Sequence, residues 1–166
     1  MIKLFEQFNN EQEIHNICKE YNIENYTINP DGSIDIDGGV NLYDMNLTEL
    51  PIKFNKVSGD FRCYNNKLTS LEGCPNYVGG SFYCFENKLT SLEGSPKEVG
   101  VSFYCNNNQL TSLKKCPKYI VGKFDCCDNK LKTLVGGPKK VDVNFYCSGN
   151  KLTSLTGAPR EVGGNF

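Results

Sequence analysis

Thiols are the residues of this 166-residue chain most able to do chemistry, and there are nine of them. Cysteines bind zinc, pair as disulfides or act as nucleophiles. Their spacing argues against all three. Cys63, Cys84, Cys105, Cys126 and Cys147 recur every 21 residues. A periodic fold stacks them in one column, and one column of parallel thiols does not make a tetrahedral metal site. The count is odd and there is no C-x-x-C pair. Adjacent strands lie roughly 4.8 Å apart, near the Cα spacing a disulfide accepts, but side chains on a ladder point in parallel. The column is expected to be free, buried and structural, each cysteine acting as a small hydrophobe. Cys74 and Cys116 share a different slot, two lines apart, too distant to pair. Cys127 falls outside both sets, in a slot expected to face the concave side.

The remaining reactive groups form no set. His15 is the only histidine, so a nucleophile–base pair has one candidate base, and it lies in a predicted helix far from most of the chain. Asp31, Gly32, Asp35 and Asp37 hint at a calcium loop, but the EF-hand spacing and terminal Glu are missing. Turn and strand-edge roles are expected for them. No P-loop or dinucleotide fingerprint occurs. The expectation is a protein that is not an enzyme and carries no metal or cofactor.

The totals narrow the partners. Lys+Arg is 18 and Asp+Glu is 19, a net charge of −1. No basic excess attracts nucleic acid. No apolar run is long enough to span a bilayer, and "MIKLFEQFNNEQEIHN" lacks the features of a signal peptide. A cytoplasmic protein with no membrane partner is expected.

What positions these residues is a repeat. "NKLTSLEG" occurs at 66–73 and again at 87–94. Aligned on phenylalanine, 21-residue lines start at Phe61, Phe82, Phe103, Phe124 and Phe145, and Phe166 begins an incomplete further line. A degenerate line starts at Val40, with Leu42, Leu47, Leu50 and Val57 in the apolar slots and Met45 and Phe54 in place of the usual Asn and Pro. Phe, Cys, Leu, Leu and Val form the inward set. Phe82 and Cys84 alternate with Tyr83, the period-2 pattern of a short strand. Asn66, Asn87, Asn108, Asn129 and Asn150 stand where the chain turns out of that strand. Their amides can bond the turn and a neighbouring line. One line cannot bury its own apolar edge, but a stack buries a continuous core.

The pattern resembles the leucine-rich repeat, L-x-x-L-x-L-x-x-N-x-L. Phe82, Cys84, Asn87 and Leu89 fill its last four slots, while its first leucine slot falls on Gly79, with Val78 one residue earlier. "N-x-L-T-S-L" looks like the bacterial subclass of short repeats. The whole chain, with "YTINPDGSIDIDGGV" ahead of the repeats, resembles leucine-rich repeat proteins common in bacteriophage and bacterial genomes. "CCD" at 126–128 spells the C-x-D motif of leucine-rich-repeat ubiquitin ligases. Cys126 is a core ladder position, so the match is read as coincidence. The resemblance implies a mainly β leucine-rich-repeat solenoid of short parallel strands, over 40–166, behind a small α+β cap over 1–39. If the origin is a phage, the compartment is the host cytoplasm.

The cap should be a helix and a hairpin. Asn10 can cap the helix, with Glu11 and Glu13 in its first turn. Ile14, Ile17, Cys18 and Tyr21 fall on one face. Leu4, Phe5 and Phe8 form a short preceding helix or extend this one. Asn29-Pro30-Asp31-Gly32 signals a turn between two alternating strands, and the hairpin is expected to cover the first repeat. At the other end Leu152, Leu155, Val162 and Phe166 are expected at an open edge. The chain is then a fragment of a longer array, a subunit packing end to end with a second copy, or a fold tolerating a small apolar patch.

Function is expected on the outward strand slots. Arg62, Tyr83, Tyr104, Asp125 and Tyr146 fill the middle slot. Tyr64, Phe85, Asn106, Cys127 and Ser148 follow the ladder cysteine. Asp60, Ser81, Ser102, Lys123 and Asn144 precede the phenylalanine. Ladder slots hardly change between lines, whereas these vary. Tyr64, Tyr83, Phe85 and Tyr104 should cluster over adjacent lines. Tyr and Arg often anchor protein interfaces. The expectation is therefore a module binding a protein partner through Arg62, Tyr64, Tyr83, Phe85, Tyr104, Asp125 and Tyr146. The bland alternative is tyrosine stacking that only supports the sheet. Two other classes stay open: a structural or adhesion component assembling as a homo-oligomer through Leu152, Leu155, Val162 and Phe166, and a carbohydrate-binding surface.

Overall fold

Each 21-residue line folds as one turn of a parallel β-solenoid, and each turn carries two short strands, not one. The structure is a computed structural model and describes residues 11–166. Asn10, Leu4, Phe5 and Phe8 lie outside the described residues. In chain order the elements are α1 (Glu11–Glu20), β1 (Tyr26–Ile28), β2 (Ile34–Ile36), β3 (Val40–Asn41), β4 (Phe54–Val57), β5 (Phe61–Arg62), β6 (Tyr77–Val78) and β7 (Phe82–Tyr83). They continue as β8 (Glu98–Val99), β9 (Phe103–Tyr104), β10 (Tyr119–Ile120), β11 (Phe124–Asp125), β12 (Lys140–Val141), β13 (Phe145–Tyr146) and β14 (Glu161–Val162).

The Phe-x-Cys strands make one continuous sheet in the order β13-β11-β9-β7-β5-β3. Every pair is parallel and in register, so Phe61 lies beside Phe82, Phe82 beside Phe103, and so on. The phenylalanines from Phe61 to Phe145 are fully buried. Their rings run up the core at centre-to-centre distances of 5.8, 5.2, 5.5 and 5.4 Å. Cys63, Cys84, Cys105 and Cys126 and the leucines of each line complete the core. Burying one such phenylalanine side chain contributes about 2–3 kcal/mol.

The asparagines close each turn against the one before. The Asn108 amide nitrogen donates to the carbonyls of Cys84 (3.0 Å), Cys105 (3.2 Å) and Asn106 (3.3 Å). Its Oδ1 accepts the Leu89 N–H at 3.0 Å. Asn66, Asn87, Asn129 and Asn150 repeat the arrangement. The residue just before each asparagine, and before Met45 in the degenerate line, is left-handed: Asp44, Asn65, Glu86, Asn107, Asp128 and Gly149 have φ between 52° and 67°. Asn, Asp and Gly tolerate that region best, and all but Glu86 are of those types.

The valine slot forms the second set of strands, which the sequence pattern did not reveal. β2, β4, β6 and β8 pair in parallel with Val57, Val78 and Val99 aligned, and β10, β12 and β14 do the same further on. Between β8 and β10 this side of the solenoid is unpaired. The turn 103–123 lies at the gap. Its Lys115 has φ 77° where Gly73, Gly94, Gly136 and Gly157 have 84–93°. A Cβ on Gly94 would lie 2.6 Å from the Leu71 oxygen, so Lys115 carries a side chain where an equivalent glycine has no room for one. Its Val121 stands in the column of Ser58, Gly79, Gly100, Asp142 and Gly163, and the strands beside Ser58 and Asp142 stay paired. The first sheet passes through the same turn unbroken.

Lys115→Gly is therefore expected to stabilise the fold by about 1 kcal/mol, because it removes a left-handed side chain. The exposed Lys115–Glu93 pair at 3.4 Å offsets little of this. Urea unfolding checks the gain. Lys115→Ala keeps the Cβ and should leave the midpoint where it was.

The helix and hairpin stand at the head of the stack. Ile14 and Cys18, one helical turn apart, are buried, with Ile17 and Tyr21 packed beside them. β1 and β2 form the antiparallel hairpin. Asp31 fastens its turn by accepting the N–H and hydroxyl of Ser33 at 3.1 and 2.5 Å. The hairpin does more than cover the first repeat. Its second strand aligns Ile36 with Val57 and so begins the second sheet itself. Among the described residues no helix is long and apolar enough to cross a membrane.

Candidate binding face

In a two-residue strand with its phenylalanine turned inward, the next residue must point out. The following slot, past the inward cysteine, points out again. Identical register from turn to turn then lines these residues up in columns along the sheet. The middle column runs Arg62, Tyr83, Tyr104, Asp125, Tyr146. All five are half-buried. The adjacent column holds Tyr43, Tyr64, Phe85, Asn106, Cys127 and Ser148, of which Tyr43 and Ser148 are exposed and the others half-buried.

The structure brings Tyr64, Tyr83, Phe85 and Tyr104 together and adds Tyr43. Tyr64 stacks on Phe85 at 4.4 Å and on Tyr43 at 5.2 Å. Tyr83 stacks on Tyr104 at 5.0 Å with the rings only 3° from parallel. Tyr83 joins the two columns edge-on, at 6.4 Å from Tyr64 and 6.5 Å from Phe85. Arg62 closes the outer end of the Tyr83–Tyr104 stack. Its guanidinium carbon lies 5.5 Å from the Tyr83 ring centre, and Asp60 meets its charge at 2.5 Å. Asp125 and Tyr146 lie in the same column but beyond the ring cluster. Tyr43 went unremarked in the sequence because its line is degenerate. Its position 21 residues before Tyr64 was the available signal.

The slot before each phenylalanine is not part of this face, contrary to the expectation from its variability. Ser81 and Ser102 are buried. Asp60, Ser81 and Ser102 each accept the backbone N–H of the equivalent residue one turn on, at 2.7, 3.2 and 2.9 Å. Any short side chain with an oxygen acceptor satisfies this ladder, so the slot varies while remaining structural. Lys123 has no acceptor to offer.

Five of the nine thiols, Cys63, Cys84, Cys105, Cys126 and Cys147, share one column. All nine cysteines are free, and Cys63, Cys84, Cys105 and Cys126 are fully buried. Cys63, Cys84 and Cys126 donate to backbone carbonyls of the next turn at 3.3–3.4 Å. Burial pushes Cys84 and Cys105 well above the ordinary thiol range and Cys116 up to about 12. Cys127 is half-buried, 3.1 Å from the Ser148 hydroxyl, and its pKa is raised first of all by burial. None of these shifts is in the direction that makes a thiolate nucleophile. His15 Nδ1 lies 2.6 Å from the Tyr26 hydroxyl, tying α1 to the hairpin. Asp31 pairs with Lys53 at 2.7 Å, Asp35 accepts from Asn29 and Asn55, and Asp37 accepts from Ser58. Among the described residues no three His, Cys, Asp or Glu side chains are grouped to hold a metal ion.

The second sheet carries its own outward groups. Tyr77 and Tyr119 are 38% and 48% exposed, with the Lys56 and Lys140 ammonium groups 5.4 and 5.6 Å from their ring centres. The Tyr119 hydroxyl donates to Asp142. In the last turn Leu152 and Val162 are half-buried and Leu155 and Phe166 are more than half exposed. Phe166 extends the core stack, 5.3 Å from Phe145.

Comparison of the chain with known protein families, with curated proteins and with solved structures finds no match.

Proposed function

We propose that this protein is a non-enzymatic binding module that takes a protein partner on the aromatic face of the first sheet. One observation carries the reading. Asn106, Cys127 and Ser148 occupy the same column as Tyr43, Tyr64 and Phe85, on strands of the same parallel register. The backbone therefore does not need an aromatic residue there. Five rings gathered over four adjacent turns answer some demand other than folding. Large amphipathic rings beside an arginine are the usual anchors of protein interfaces.

Ring geometry favours protein over carbohydrate. Sugars stack on open ring faces. Here separations of 4.4–5.2 Å cover the faces within each column and present mainly edges and hydroxyl groups outward. The likeness of the repeat to the leucine-rich class supports the reading, since such repeats commonly present their strand face to partners. In a protein of phage origin, the partner would be a host factor or another phage protein in the host cytoplasm.

The double variant Tyr83→Ala, Tyr104→Ala tests the proposal. Loss of two anchor residues should weaken partner capture by at least roughly 30-fold, with the circular dichroism spectrum unchanged. Undiminished capture would sink the assignment to this face. Glycan binding with no protein captured would move the module to the carbohydrate class.

A further inference from the structure

The middle column shows, in its first half, what chemistry it accepts. Arg62 places a cation 5.5 Å from the centre of the Tyr83 ring, and Asp60 neutralises it. Tyr83 covers one face of Tyr104 in a near-parallel stack. The opposite face of Tyr104 is turned along the column toward Asp125, and beyond Asp125 stands Tyr146. The second half of the column thus has rings and a carboxylate but no cation.

The dimensions suit one. Two strand steps separate Tyr104 from Tyr146, about 10 Å in all. A charge one strand step beyond Tyr104 would lie about 5 Å from its ring, inside the range for cation–π attraction and close to the spacing Arg62 keeps from Tyr83. Asp125 stands between the rings, half-buried, with its Oδ1 held by the Cys127 N–H at 2.9 Å. The Tyr146 hydroxyl is held by the Asn144 amide at 2.6 Å. The Asp125 carboxylate and the Tyr146 hydroxyl are therefore each held before any ligand arrives, and the Tyr104 ring is held by its stack on Tyr83. Lys123 is exposed just ahead of β11, two residues before Asp125, yet among the described residues neither Lys123 nor Asp125 enters an ion pair. An anionic group is disfavoured here by the Asp125 carboxylate.

We propose that the notch formed by Tyr104, Asp125 and Tyr146 receives a cationic side chain, arginine or lysine, of the bound partner. The notch depends on the protein-binding reading of this face and specifies the charge of the residue that docks beside the aromatic cluster. Its recognition combines the ring quadrupoles of Tyr104 and Tyr146 with a charge-assisted hydrogen bond to Asp125.

The probe is N-acetylarginine methylamide, titrated into protein with isotopically labelled tyrosine rings and followed by NMR. The Tyr104 and Tyr146 signals should shift saturably, while Tyr119, already beside Lys140, should not. The neutral isostere N-acetylcitrulline methylamide should bind at least about tenfold more weakly, by loss of one charge-assisted contact. Asp125→Asn keeps the acceptor for the Cys127 N–H and should weaken the arginine probe by a similar factor, with the remaining spectrum unchanged. Equal binding of citrulline, indifference to Asp125→Asn, or shifts confined to other tyrosines would overturn the notch. If those results appear while Tyr83→Ala, Tyr104→Ala still abolishes partner capture, the binding face survives without it. If the arginine probe behaves as expected but the double variant captures partner normally, the face fails as the partner site and the notch stands as a small-cation site only.

Discussion

Replacing Asn108 by alanine should cost the fold about 3 kcal/mol, since it orphans the Leu89 N–H at a site from which water is shut out and leaves the Cys84 and Cys105 carbonyls with only the Asn87 and Asn129 amides. Leu89 N–H, Cys84 C=O and Cys105 C=O all bond the Asn108 side chain, which is only 9% exposed. The damage crosses two turns, because the amide reaches back 24 residues to Cys84 and 19 to Leu89. In a solenoid stability is carried by such neighbour-to-neighbour contacts. Asn150→Ala removes the same bonds at a more open position, where water can replace them, and should cost less than half as much. Urea unfolding of the two variants separates the cases. Equal losses would mean that burial is not what makes the asparagine ladder strong.

Phe103→Ala should be more damaging still, by about 4 kcal/mol, through lost burial and the cavity it leaves. Phe103 is fully buried between Phe82 at 5.2 Å and Phe124 at 5.5 Å. In the first sheet β9 is pinned to β7 on one side and β11 on the other, which limits how far the site can collapse to fill the gap. Phe166→Ala removes a ring stacked on one side only and more than half exposed, and should cost little. Thermal unfolding monitored by calorimetry checks both. A Phe103 variant as stable as the Phe166 variant would contradict the packed-stack description.

Much of this architecture is readable from the repeat. Phe, Cys, Leu and Asn recur because each must fit against its own copy one turn away, so period and inward set appear together. The valine strands are not readable in that way. From β6 onward each has two residues and only one inward side chain, too short for any alternation to show. The gap between β8 and β10 has no such signature, since the Val121 column also holds Ser58 and Asp142 beside paired strands. On the outward face, variability between lines is an ambiguous guide. It marked the aromatic columns, but it equally marked Asp60, Ser81 and Ser102, where different side chains satisfy one backbone donor. Tyr43 was hidden by the poor match of its line to the pattern, although its spacing to Tyr64 is regular.

A binding module of this kind must have its aromatic face covered by the protein partner. Hydroxyl-radical footprinting of the free protein and of the captured complex, resolved by peptide mass spectrometry, reads this directly, because tyrosines occur on both sheets. Protection of Tyr43, Tyr64, Tyr83 and Tyr104 with undiminished oxidation of Tyr77 and Tyr119 is the predicted result. Protection of Tyr77 and Tyr119 instead, or no change at the first sheet, would contradict it.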